Sequence, residues 1–379
     1  MKDFVFIKND FLVPLPDSIS LCERDELEKW SENSKQGEKF ALISNEKSPN
    51  AQIYAPEINF YLKNSQDECL DKAKNTLVLY EVRASLYDLG LDLEYDKQVG
   101  ANVIIASAQD KGALCEFLGQ NGFKALQVSE VLGVYGAVGE LGVITQEKGA
   151  ELEIACDFFF YDEFKTSFDK QSGCYDLRKF SDERALLEFL QSKSPKYRYT
   201  NYINYDSSIC QYDKRREECC GKCAELCPSV AILKDESKRE LVFSQVDCVG
   251  CGDCVSVCPS GSLEFTPLPS ARFWALLDFY KGKKILLVDE KFALESLEIS
   301  LDKNVLPLVL NSAQLNETTL LALLQTSGAN ITLCATRLSK GNEDAIALLN
   351  AIFERKFNKK AILVAFDKES LEKALKECE

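Results

Sequence analysis

Four cysteines in the stretch CVGCGDCVSVCP, namely Cys248, Cys251, Cys254 and Cys258, have spacings of two, two and three residues, and Pro259 follows the last. Two-residue gaps let three successive thiolates curl around one iron–sulfur cube. The fourth, one helical turn further on, points to a neighbouring cluster. Gly250 and Gly252 suit this chemistry because a missing side chain lets backbone N–H groups approach the sulfides, and Pro259 turns the chain out of the helix. Paired Cys-x2-Cys elements also hold zinc, but three cysteines at successive two-residue gaps followed by Cys-Pro are not the usual zinc pattern.

A second run lies upstream. CGKCAELCP supplies Cys220, Cys223 and Cys227 at spacings of two and three, followed by Pro228. Glu217 stands where the first cysteine of such a run would be, so a fourth thiolate must come from elsewhere. Cys210 and Cys219 are the candidates, and Cys210 is preferred because Cys219 and Cys220 are adjacent and do not readily reach the same cube. The alternative is a degraded first site holding a three-iron cluster or nothing.

An internal repeat supports Cys210. YTNYINYDSSIC reads as a β-rich stretch ending in Asp206 and Cys210, and LVFSQVDC as a strand ending in Asp247 and Cys248. Each leads into a Cys-rich turn, a short helix, Cys-Pro-Ser and an apolar stretch, VAIL in the first half and LEFT in the second, as a duplicated unit would. The first half carries the insertion QYDKRREEC. By interleaving, Cys210, Cys220, Cys223 and Cys258 hold one 4Fe-4S cluster, and Cys248, Cys251, Cys254 and Cys227 hold the other.

These motifs resemble the double-cluster ferredoxin domain of bacterial 4Fe-4S proteins. The isolated cysteine, short insertion, Gly-x-Cys and Cys-Pro further resemble large ferredoxin-like proteins found with formate dehydrogenase systems. The resemblance covers roughly residues 200–266 and implies two clusters on these eight cysteines, with a dehydrogenase as redox partner. Glu217 departs from the standard first run, which bears on Cys210 alone.

The rest of the composition narrows the chemistry. The chain has 379 residues, 16 Cys, no His and a single Met, Met1. Imidazole bases, Rieske centres, and His or Met haem ligation are therefore excluded. Nine of the 16 cysteines fall between Cys210 and Cys258. Cys22, Cys69, Cys115, Cys156, Cys174, Cys334 and Cys378 are scattered singly and are read as structural or incidental. A net charge of −15 disfavours nucleic acid and favours a redox partner with a basic docking face. No apolar run approaches a membrane span, and Lys2, Asp3, Lys8, Asp10 and Pro14 break the apolar start, which does not suit a signal peptide. A cytoplasmic protein is expected.

The elements around the cysteines read as mixed α+β and α/β in several domains. An N-terminal α/β domain is expected over residues 1–165, a linker with a helix over 166–199, the two-cluster ferredoxin-like module over 200–268, and a C-terminal α/β, loosely flavodoxin-like domain over 269–379. In the last, KKILLVD, NVLPLVL, NITLCA and KKAILVAF read as strands of a small parallel sheet, with NETTLLALLQTSG and EDAIALLNAIFERK as helices. No Gly-rich fingerprint follows its first strand. Arg337, Ser339, Lys340 and Gly341 form either an anion-binding loop or a solvated loop with a helix cap, the latter preferred.

In the N-terminal region LVLYEVR, ANVIIASA and FKALQVSE read as strands, and QDKGALCEFLGQNG reads as a helix. VITQEKGAELEIACDFFFY reads as two strands around a turn at Lys148 and Gly149. Gly133, Gly136, Gly139 and Gly142, at three-residue intervals, suit close backbone packing better than phosphate binding. SDERALLEFL reads as a helix capped by Ser181, and Lys193, Lys196 and Arg198 as solvated surface.

Electron transfer between a dehydrogenase and another acceptor is thus the expected function. The alternatives are a flavin- or NAD-binding oxidoreductase subunit and an iron–sulfur maturation or regulatory factor. The chain is expected to be a carrier or redox subunit rather than a stand-alone enzyme.

Overall fold

The computed structural model describes residues 3–4, 19–20, 43–45, 47, 53–89, 93–147, 149–162, 168 and 170–377. Cys22, Cys378 and Lys148 lie outside these residues. Contacts group the chain into two compact units. One comprises Leu93–Gly250 and Pro259–Leu263, the other Met1–Asp92, Cys251–Cys258 and Glu264–Glu379. This division cuts through both the N-terminal region and the cysteine-rich segment.

The first unit is built on a four-stranded parallel sheet in the order Cys174–Asp176, Phe158–Tyr161, Asn102–Ala106, Lys124–Val128. Helix Gly112–Gln120 makes the crossover between the last two strands, as parallel pairing requires. Alternate residues serve opposite faces. Val103, Ile105, Phe158 and Phe160 join Leu114, Leu118, Leu186 and Leu190 in one core. Ile104, Ala106, Phe159 and Tyr161 join Leu141, Val143, Cys156 and Cys174 in a second. Burial of both faces explains why FFFY shows no polar alternation.

The antiparallel strands Val131–Ala137, Glu140–Glu147 and Ala150–Cys156 form a separate sheet. Here the spaced glycines serve tight backbone geometry: Gly136 and Gly139 have positive φ, and a side chain on Gly142 would overlap the Tyr135 ring. Helix Glu183–Lys193 is capped by Asp182, whose carboxylate accepts the Ala185 N–H at 2.8 Å. The expected cap, Ser181, is displaced by one residue because the carboxylate makes the bond and also suits the positive end of the helix dipole.

The other unit contains a second four-stranded parallel sheet, in the order Val305–Leu310, Lys284–Asp289, Ile331–Cys334, Ile362–Ala365. Numbered along the chain, this order is 2-1-3-4, with a topological reversal beside the first strand. Helices Glu317–Ser327, Lys340–Phe357 and Lys368–Glu377 follow successive strands. Asn316 with Thr319, and Ser339 with Asn342, form reciprocal caps at the first two of these helices.

LVLYEVR is not a strand. It lies inside helix Cys69–Leu89. Leu77, Leu79, Tyr80, Val82 and Ala84 are all buried, so this helix is apolar on more than one side. A continuous apolar run of that kind is shared by buried helices and buried strands.

Candidate metal centre

The first cysteine turn begins where Asp206 caps the single turn Ser207–Ile209 by accepting the Ser208 N–H. Cys210 follows, only 5% exposed, and its sulfur accepts the Tyr212 N–H at 3.4 Å. Arg215 donates two bonds, of 3.0 and 2.9 Å, to the Cys210 carbonyl. Thus a thiol, an N–H···S bond and a guanidinium are fixed together at the start of the insertion. Tyr205 donates to Asp213 at 2.8 Å. Burial first, then bonding to Cys210 and Asp213, raises the tyrosine's pKa and keeps the hydroxyl protonated.

Gly221, at φ 139°, starts helix Lys222–Leu226. A side chain there would overlap the Lys234 ammonium stem, which packs over this turn and pairs with Glu218 and Glu225 at 2.9 Å each. Cys223 on the helix is buried, Cys220 and Cys227 are half-buried, and Cys219 is exposed. Cys227 sulfur lies 3.6 Å from the Ser229 hydroxyl. After Pro228 the chain enters strand Ile232–Asp235, which pairs antiparallel with Glu240–Phe243. Asp206 N–H donates to the Ser262 carbonyl at 2.8 Å, tying the start of the first half to the end of the second.

Asp247 precedes the second run. It is 5% exposed and accepts bonds from the Ser172 N–H and the Ser244 hydroxyl, which fixes the approach to Cys248. Gly250, at φ 64°, faces Tyr202, and a Cβ would meet its ring at 2.7 Å. Gly252, at φ 84°, starts helix Asp253–Ser256. Cys254 on that helix is buried, while Cys248, Cys251 and Cys258 are half-buried. Both runs therefore share one local design: a positive-φ glycine, a helix of one to two turns carrying a buried cysteine, and a further cysteine just past its end.

The loop at Arg337 carries the exposed residues Arg337 and Lys340 and ends in Ser339, the cap of helix Lys340–Phe357, and its arginine is engaged by a carboxylate. Arg337 forks onto Asp253 with bonds of 2.9 and 3.1 Å. Ser339 lies 3.1 Å from the Ser256 hydroxyl, and a side chain on Gly341 would overlap Ser256. Gly252 in turn faces Gln314, whose N would lie 3.0 Å from an added Cβ. The carboxyl-end loops of the C-terminal sheet thus meet the segment bearing Cys251, Cys254 and Cys258. Neither Arg337 nor Gln314 carries any sequence signal of this role, since the contacts span 84 residues and 62 residues respectively.

The donor set fits an iron–sulfur cluster. It consists of cysteine sulfurs, with glycines where backbone must come close. The buried Tyr212 hydroxyl has no hydrogen-bond partner among the described residues. Elsewhere, burial holds the thiols of Cys156, Cys174 and Cys334 in their protonated form. Burial pushes Cys156 and Cys334 up to about 12, and raises Cys174 as well. Among the described residues no three His, Cys, Asp or Glu side chains converge as one bound metal ion would need.

Residues 218–262 match a 4Fe-4S dicluster domain. The segment is therefore a ferredoxin-type iron–sulfur domain, a class whose chemistry is electron transfer. The match includes Cys219 and begins after Cys210. A search of curated proteins finds no match to the chain. Among the described residues no helix is long and apolar enough to cross a membrane.

Proposed function

We propose that this chain relays single electrons through two 4Fe-4S clusters held by Cys210, Cys220, Cys223, Cys227, Cys248, Cys251, Cys254 and Cys258. The observation that carries the reading is the repeated turn: positive-φ glycine, short helix and buried cysteine, twice within a segment that matches the dicluster domain. Burial of Cys210 and its N–H···S bond favour it over the exposed Cys219 as the remaining ligand.

The clusters supply one-electron redox chemistry, and no side chain is required as acid or base. The protein's part is to bury the thiolates and aim N–H groups at sulfur, as the Tyr212 amide does. Both set reduction potential. A formate dehydrogenase or similar dehydrogenase as partner rests on the resemblance around Cys210–Pro228. A basic docking face on that partner follows from the chain's charge of −15, and a cytoplasmic location from cysteines clustered with metal-ligand spacing rather than as a disulfide framework. A flavin or nicotinamide reading has less support, because the sheet end where such a ligand would sit meets the Gly252–Ser256 turn.

Iron, acid-labile sulfide and zinc should be measured per chain on protein purified without oxygen. About eight iron and eight sulfide are expected. Stoichiometric zinc without sulfide would overturn the proposal, and about four iron would remove one of the two clusters.

A further inference from the structure

In open parallel sheets, ligands sit outside the carboxyl ends of the strands, at the point where strand order reverses. In the C-terminal sheet that point lies beside Lys284–Asp289, between neighbours Val305–Leu310 and Ile331–Cys334. The loops leaving these ends present Gln314, Arg337 and Ser339, and what they meet is the chain's own Gly252, Asp253 and Ser256. The crevice takes the second cysteine turn as its ligand.

We propose that Arg337 is a positioning residue for charge at that turn: its guanidinium neutralises Asp253 and thereby sets the reduction potential of the cluster held by Cys251 and Cys254. This rests on the two-cluster reading above. Asp253 stands between those two cysteines, its side chain is 16% exposed, and Arg337 engages both of its carboxylate oxygens. Bidentate pairing of this kind fixes both position and charge. The placement is enforced from both sides, since Gly252 is closed in by Gln314 and Gly341 by Ser256.

The electrostatic consequence has a definite sign. On reduction one electron enters the cluster from the titrant, no bond is made or broken, and the local charge becomes more negative by one. A carboxylate beside it opposes this step and a guanidinium favours it. With both present the fields largely cancel. Removing the arginine leaves the carboxylate uncompensated and lowers the potential, whereas removing the carboxylate charge leaves the guanidinium and raises it. A merely structural clamp, when loosened from either side, has no reason to produce shifts of opposite sign.

The test uses the full chain purified without oxygen, with iron and sulfide assayed first. Arg337→Gln, Asp253→Asn and Arg337→Lys are then titrated with dithionite under paramagnetic resonance. One wave is expected to move to lower potential in Arg337→Gln and to higher potential in Asp253→Asn, with the other wave unmoved. Each shift corresponds to about a tenfold change in the reduction equilibrium, about 59 mV for one electron. Arg337→Lys keeps the charge without the fork and should stay close to the parent protein. Shifts of the same sign in the first two variants, no shift at full iron content, or a lysine variant that moves as far as the glutamine one would each overturn the proposal. A parent protein without iron and sulfide would defeat the cluster reading itself, before any variant is compared.

Discussion

Cys210 and Cys219 differ in surroundings more than in sequence position. Cys210 is buried and accepts an N–H bond at its sulfur, while Cys219 is exposed. Cys210→Ser should therefore lower iron content by about half, or leave a three-iron signal, whereas Cys219→Ser should keep about eight iron. Paramagnetic resonance with iron analysis distinguishes these results. The two cysteine runs within residues 218–262, which match a dicluster domain, were legible because ligand spacing is a local property of the chain. What holds them was not. Tyr212 and Arg215 have ordinary types, and their partners, like those of Asp247, depend on backbone paths that spacing alone does not define.

At the scale of elements, the C-terminal sheet was readable strand by strand because buried parallel strands are continuous apolar runs bounded by turns. The same property misled at LVLYEVR, where helix Cys69–Leu89 is buried on several sides. The cap of helix Glu183–Lys193 gives a direct check. Asp182→Ala should cost about 1 kcal/mol in denaturant unfolding, and Ser181→Ala only a few tenths. Ahead of Cys69–Leu89, Asp67 accepts bonds from the Tyr61 hydroxyl at 2.5 Å, the Asn304 N–H at 2.7 Å and Asn75 at 3.0 Å. Partial burial works against its charge, but the bonds win and hold its pKa below the ordinary value. A carboxylate lowered in the folded state stabilises fully above its unfolded pKa, near 4, and loses that contribution as pH falls through the folded value. Asp67→Asn should accordingly be less stable at pH 7 and show a shallower loss of stability below pH 4, measured by unfolding across pH.

For the whole molecule the governing quantity is charge. Sixty acidic residues against 45 basic ones leave −15, and thiolate-ligated clusters add further negative charge to the redox site. Local pairing moderates this in places, as where Lys234 bridges Glu218 and Glu225 and Arg337 covers Asp253, but it leaves the overall excess of negative charge in place. Encounter with a cation should be steered and encounter with an anion opposed, over a distance set by ionic strength. The reduced protein should therefore be oxidised faster by a cationic cobalt complex than by an anionic iron complex of matched driving force at low salt. Stopped-flow rates at increasing salt should bring the two oxidants together, because the Debye length contracts from about 30 Å at 0.01 M to about 8 Å at 0.15 M. Equal rates at low salt would mean that electrons leave through a face where the excess charge is not felt, and a basic docking partner would then lose its physical basis.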